Sequence, residues 1–377
     1  MRRAVLAAAV GGLGMLGARG MAGAEPWKLT MEGGAEADSN VKQMEGIPGE
    51  MSERIAAPVA RAGARIDHRD RLLGGAYVLS LSSLARLVAS DRGKTENVIL
   101  YDGDVRWMHA MESRPIALGA RILAADALAI AGGTGSRTFR NLGADGVLVL
   151  GGGGDRTLTL TVGERELWYK PNPIFNWYGP VTHARFDLVL WQPPDKTRSL
   201  ELATLFGFEA RRYDSSALSN NCPPDAPPAI ECSARTSLVR RDRFQRAGVE
   251  LTWTAAVVVT AGYQLTVIDS NSYGQSLVRH RVVTSATTEL FDKLFGTVTA
   301  TLQIDQYPNG VPVEKAALQE VATLEDENRS SVQVRLAREL TPAWSLEARG
   351  AIWREFGNAD TSTFRRELIY TGVIYAR

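Results

Sequence analysis

The sequence predicts an all-β chain, a transmembrane up-and-down antiparallel β-barrel of about sixteen strands. Three observations carry that expectation. Apolar and polar residues alternate with period two along nearly the whole chain after residue 24. The connections between the alternating segments are tight and long in turn. No later apolar run reaches the roughly twenty residues that a membrane-spanning helix needs. With helices excluded, a closed barrel is the remaining way for a backbone to cross a bilayer.

The first residues stand apart. Arg2 and Arg3 precede a short apolar core, Ala4–Leu16, and Ala22-Gly23-Ala24 is a small-x-small cleavage site. Arg19 interrupts the apolar run, which argues for a signal peptide rather than a membrane helix. The expected organisation is a signal peptide over 1–24, cut after Ala24, and one outer-membrane β-barrel over 25–377. The 43 Lys and Arg nearly cancel the 42 Asp and Glu, for a net charge of +1. That balance gives no case for nucleic acid as a partner.

Strand candidates follow in order. Trp27–Ser39 places Trp27, Leu29 and Met31 on one face and Lys28, Thr30, Glu32, Glu36 and Asp38 on the other. Val59–Arg69 sets Arg61, Arg65, Asp67 and Arg69 against Ala60, Ala62, Ala64 and Ile66. Gly75–Leu87 follows, and Asn97–Met111 sets Asp102, Asp104 and Arg106 against Val105 and Trp107. Pro115–Ala127, Ser136–Gly151 and Arg156–Tyr169 come next; Leu158, Leu160 and Val162 alternate there with threonines. Val181–Trp191 sets His183, Arg185 and Asp187 against Phe186, Leu188 and Leu190. Arg198–Tyr213 sets Glu201, Glu209 and Arg211 against Leu200, Leu202, Phe206 and Phe208. The clearest hairpin is Phe244–Asp269, turning at Thr254-Ala255-Ala256. Gln275–Leu290, Phe295–Tyr307, Ser330–Glu339 and Trp344–Phe356 lead to Phe364–Arg377, with Leu368, Tyr370 and Ile374 on one face.

Tight turns fall at Leu72–Gly74, Glu112–Arg114, Gly152–Asp155, Pro193–Thr197, Thr254–Ala256, Asp292–Leu294 and Leu340–Ala343. Longer links fall between them, the longest at Asn40–Pro58, Asp214–Arg240 and Pro308–Arg329. Short periplasmic turns opposite longer external loops are what an up-and-down barrel requires. Trp27, Trp107, Trp191, Trp253 and Trp344 lie beside the tight turns, where an interfacial girdle belongs.

If the apolar faces meet lipid, the charges between them face the lumen. The expected pore-lining residues are Arg61, Arg65, Asp102, Asp104, Arg106, Arg185, Asp187 and Glu201 in the first half. Glu209, Arg246, Glu250, Arg279, Arg281, Arg335, Glu347 and Arg349 complete the set. A charge facing lipid at midplane costs about 2–4 kcal/mol, which drives this sorting. Cys222 and Cys232 enclose ten-residue spacing in an exported chain and read as a disulfide stapling a loop. Val313, Ala317, Val321 and Leu324 follow helical spacing within the 308–329 link: an external cap, a lumen constriction or a partner contact.

No enzyme is expected. His68, His109, His183 and His280 lie on separate strands without a companion nucleophile or carboxylate motif. The runs Gly132–Gly135 and Gly151–Gly154 lack the following Lys of a phosphate loop. Asp102-Gly103-Asp104 is too short for a calcium loop, and neither a metal nor another cofactor is implied.

The signal peptide, the alternating strands and a strand running to the C-terminus resemble outer-membrane β-barrel proteins of Gram-negative bacteria. Such chains often end on Phe or Trp, whereas this one ends Tyr375-Ala376-Arg377. The opening Gly33–Gln43, with its Asp38-Ser39-Asn40, is similar to the first strand of β-barrel porins associated with surface-polysaccharide export and of surface-protein assembly barrels. That resemblance implies a porin-like conduit in the outer membrane, exporting polysaccharide or another surface polymer. The alternative is a structural barrel anchoring an envelope-spanning complex, such as a surface-motility machine, through periplasmic partners.

Overall fold

The computed structural model describes residues 27–42, 54–112, 114–130, 138–152, 154–170, 172–225, 232–308, 329–354 and 364–377. The expected signal peptide, and the 308–329 link apart from its two ends, lie outside the described residues. The strands are β1 (Trp27–Asp38), β2 (Ala57–Leu72), β3 (Gly75–Val88), β4 (Val98–Ala110), β5 (Ile116–Ala129), β6 (Phe139–Gly152), β7 (Arg156–Tyr169) and β8 (Trp177–Trp191). They continue as β9 (Ser199–Asn220), β10 (Ser233–Thr254), β11 (Val257–Ser270), β12 (Leu277–Phe291), β13 (Leu294–Gln306), β14 (Ser330–Glu339), β15 (Trp344–Arg354) and β16 (Arg365–Ala376). All sixteen form one closed antiparallel sheet in sequence order, with β1 hydrogen-bonded to β16 from Thr30↔Ala376 to Asp38↔Leu368. Closure leaves no strand edge within the ring, so the backbone donors and acceptors are satisfied without water.

Tight turns gather at one end, which we call the turn side. Leu73 and Gly74, with φ of 51° and 72°, make a two-residue connection between Leu72 and Gly75. Positive φ at both positions matches the twist of the flanking strands. The start of β1 and the end of β16 meet at this same side: Leu29 N–H donates to Arg377 O at 2.7 Å and Arg377 N–H to Leu29 O at 2.8 Å. The other, loop side carries the longer connections.

One expected loop is largely strand. Of Asp214–Arg240, the two ends belong to β9 and β10, each 22 residues long. β8 pairs with β9 as far as Tyr213 and β11 pairs with β10 from Asp242, so about a third of β9 and two fifths of β10 project past these neighbours. The Cys222–Cys232 disulfide closes the tip of this ribbon. Asp214-Ser215-Ser216 and the residues after them present no apolar face, which is why period-two reading stops short of the strand end.

Candidate functional site

Registers across the sheet divide the residues between two faces. The outer face is apolar and bare: Val162, Phe206, Ile122 and Ile369 are all at least 60% exposed. Trp27, Trp107, Trp191, Trp253 and Trp344 all sit on it beside the tight turns. There Trp191 stacks on Trp253 with ring centroids 5.7 Å apart, and Trp344 lies 5.0 Å from Tyr375. Trp27 stacks on His68 at 3.8 Å, and Trp107 donates its indole N–H to Leu72 O at 2.8 Å.

The inner face carries the charges. Pairings such as Arg61↔Arg86, Ser82↔Asp102, Ser80↔Asp104, Arg106↔Arg121 and Gly207↔Arg246 put the corresponding expected residues on this inner face. The same alternation places Arg65, Arg185, Asp187, Glu201, Glu209, Glu250, Arg279, Arg281, Arg335, Glu347 and Arg349 there. Several charges face out instead: Asp126 and Arg140, paired at 2.7 Å at the loop side of β5 and β6, Glu164 and Glu166 on β7, and Arg354, Arg365 and Glu367 at the loop side of β15 and β16.

Most of the inner charges are answered in pairs, and a spacing rule explains many of them. Residues i and i+2 share a strand face. Arg65–Asp67, Asp104–Arg106, Arg185–Asp187, Glu209–Arg211 and Arg240–Asp242 are all salt bridges of this kind, 2.5–2.9 Å long. Cross-strand partners extend them. Asp104 also takes Arg121 at 2.6 Å, Glu250 takes Arg185 at 3.2 Å, and Glu209 takes Arg246 at 3.2 Å. Arg335 reaches Glu347 at 2.5 Å, and Ser199 donates to Glu201 at 2.8 Å.

Water access changes along the bore. On β1 the inner side chains pass from exposed Lys28 through partly buried Thr30 and Glu32 to buried Glu36 and Asp38. On β10 they pass from partly buried Thr254, Thr252 and Glu250 to buried Phe244, Asp242 and Arg240. The loop side is thus filled and the turn side wet.

The filling is aromatic and ionic together. Val98, Ala127, Phe139, Leu167, Trp177 and Tyr213 make one apolar cluster on the inner wall of β4–β9. Arg211 lies 4.1 Å from the ring centres of both Trp177 and Phe244, and Arg240 lies 4.1 Å from that of Tyr213. Such stacking holds a guanidinium in an apolar setting while its carboxylate neutralises it. Asp38 receives Arg366 of β16 across the β1–β16 seam at 2.8 Å and Arg86 of β3 from the other side at 2.6 Å, while Glu36 receives Arg61 of β2 at 3.2 Å and Arg86 at 3.1 Å. Tyr370 lies across this seam. A Cβ added to Gly34 would stand 2.7 Å from its hydroxyl oxygen.

Asp38, Glu36, Arg86, Arg366, Asp145, Arg165, Arg240 and Asp242 are missing from the expected pore-lining set. The i, i+2 rule reaches Arg240 with Asp242. Arg86 and Arg366 carry no such local signal, because their carboxylates come from other strands.

The histidines are dispersed. His183 is on the inner wall, while His109 Nδ1 contacts Gly74 O at 3.0 Å and His280 Nδ1 contacts the Tyr263 hydroxyl at 2.8 Å.

No family model and no curated protein sequence matches the chain. Among solved structures it is similar to a bacterial polysaccharide outer membrane secretin, at TM-score 0.46 and 7% identity, covering 93% of this chain and 97% of that one. It is also similar to OccK8 (OprE) of Pseudomonas aeruginosa, at TM-score 0.46 and 10% identity, covering 93% and 98%. OccAB3 of Acinetobacter baumannii follows at TM-score 0.45 and 9% identity, again covering 93% and 98%.

Proposed function

We propose that the chain is an outer-membrane channel for polar solutes. The observation that carries this reading is the sorting of the two faces: bare apolar side chains outside, and ion pairs with a water-accessible turn-side half within. An apolar outer band edged by tryptophans fits a bilayer. A barrel of sixteen strands is in the size range that leaves an aqueous lumen. The finer form is a conduit for a hydroxyl-rich polymer such as a surface polysaccharide. Thr252, Thr260, Ser285, Thr287, Thr297 and Thr299 support it, because they continue one uncharged polar strip across the inner wall of β10–β13.

The filled loop side favours a second reading, a sealed barrel that anchors periplasmic partners. Purified protein in planar bilayers separates the two. Steady ion conductance is the expected result; a sealed barrel that co-purifies with envelope proteins overturns the channel reading in favour of the anchor.

A further inference from the structure

Carboxylates answer most guanidiniums of the inner wall, but Arg281 stands differently. It is the fifth residue of β12 from the loop-side end, with Gln264 directly opposite on β11 and Gln303 directly opposite on β13. Its Nε is buried and has no hydrogen-bond partner. The nearest carboxylate by register is Asp305, one inner-face step along β13. That group is already held by Arg279 through two hydrogen bonds of 2.9 Å, and Gln303 Nε2 donates to it at 3.3 Å. On its own strand Arg281 stands between Arg279 and Val283; the side chains that face it from β11 and β13 are otherwise amides and hydroxyls: Gln264, Thr266, Thr301 and Gln303. On β4, half the circumference away, exposed Asp102 faces the same lumen.

We infer that Arg281 is the anion-holding residue of a lumen subsite for a hydroxylated carboxylate, the chemistry of a sugar acid. A guanidinium is a planar fork that matches a carboxylate in a two-point contact, and it remains charged at every physiological pH. The surrounding amides and hydroxyls both donate and accept, so they exchange hydrogen bonds with the hydroxyls of such a solute. A neutral sugar meets the same hydroxyls and amides but lacks the charged contact.

The subsite deepens the channel reading and rests on it for access, so the test separates the two. In planar bilayers, millimolar D-galacturonate added from the turn side should interrupt wild-type current where D-galactose does not. Arg281→Gln should weaken that block about tenfold, the effect of losing one charge-assisted hydrogen-bonding group. Arg140→Gln alters only the outer face and should retain the block. Block that survives Arg281→Gln, or equal block by galactose, overturns the subsite while leaving the channel in place. A bilayer without current overturns the channel instead. Calorimetric binding of galacturonate to the detergent-solubilised barrel then decides the subsite alone: binding weakened about tenfold by Arg281→Gln supports it, and binding that is absent or unchanged overturns it.

Discussion

On the loop side of the bore, Asp38 sits between Arg86 and Arg366 with all three side chains at most 2% exposed. On the turn side, Arg65 holds Asp67 at a similar distance, yet 56% of the Arg65 side chain is exposed. The chemistry of the two contacts is the same and the surroundings differ. Buried charge deprived of its partner is strongly unfavourable, whereas a pair in water contributes little because solvent answers either ion when the other leaves. The loop-side pairs therefore hold the wall together, and the turn-side pairs set the field that a solute meets.

Substitutions break or sharpen that contrast. Asp38→Ala has the largest expected effect. It strips the carboxylate shared by Arg86 and Arg366 at the seam and should destabilise the barrel by about 3–5 kcal/mol. The readout is the temperature at which the folded band is lost in gel-shift unfolding. Gly34→Val comes next, since the new side chain presses on the Thr371 carbonyl of the β16 backbone and on the Tyr370 ring; overpacking of this kind costs about 1–3 kcal/mol in the same assay. Arg65→Gln should shift stability by less than about 1 kcal/mol, because Ser80 Oγ still donates to Asp67 and water replaces the guanidinium. Its measurable consequence is a bilayer reversal potential shifted towards cations. If Arg65→Gln proves as damaging as Asp38→Ala, the wet and dry halves do not differ as described.

The smallest effect lies outside the sheet, in the β8–β9 turn. The Thr197 hydroxyl and backbone N–H both donate to Asp195, the hydroxyl at 2.8 Å, and hold its carboxyl below the usual aspartate range. A depressed folded-state value means the contribution is present above the ordinary value and disappears as pH falls through the lowered one. Thr197→Val should return Asp195 towards its ordinary value in a carboxyl NMR titration.

Much of this was legible in the sequence, for a physical reason. A sheet wet on one face and greasy on the other repeats every two residues, so strand number, turn order and the inward set from Arg61 to Arg349 follow from alternation. Legibility fails where that contrast fades. In β16, apolar residues occupy both faces: Leu368, Tyr370 and Ile374 turn inward, while Ile369, Val373 and Tyr375 point out. The loop-side ends of β9 and β10, past Tyr213 and before Asp242, have left the greasy band, so nothing enforces the pattern there. The dry pairs are hidden for another reason. Asp38 and Arg366 are 328 positions apart and meet only because the ring closes.

A ring of strands has no free margin, but the overhanging ribbon of β9 and β10 brings one back. Beyond the reach of β8 and β11, backbone groups flank the ribbon where a foreign chain could zip on, and the β11–β12 link already covers two places: Leu218 O accepts from Tyr273 N–H at 2.9 Å and Val239 O from Asn271 Nδ2 at 2.9 Å. Two slips in the pairing, between Arg235 and Val239 and between Val239 and Arg241, twist this margin and spoil its regular ladder. With Arg235 and Arg241 set along the same stretch, the protruding ribbon is guarded against gluing one molecule to the next.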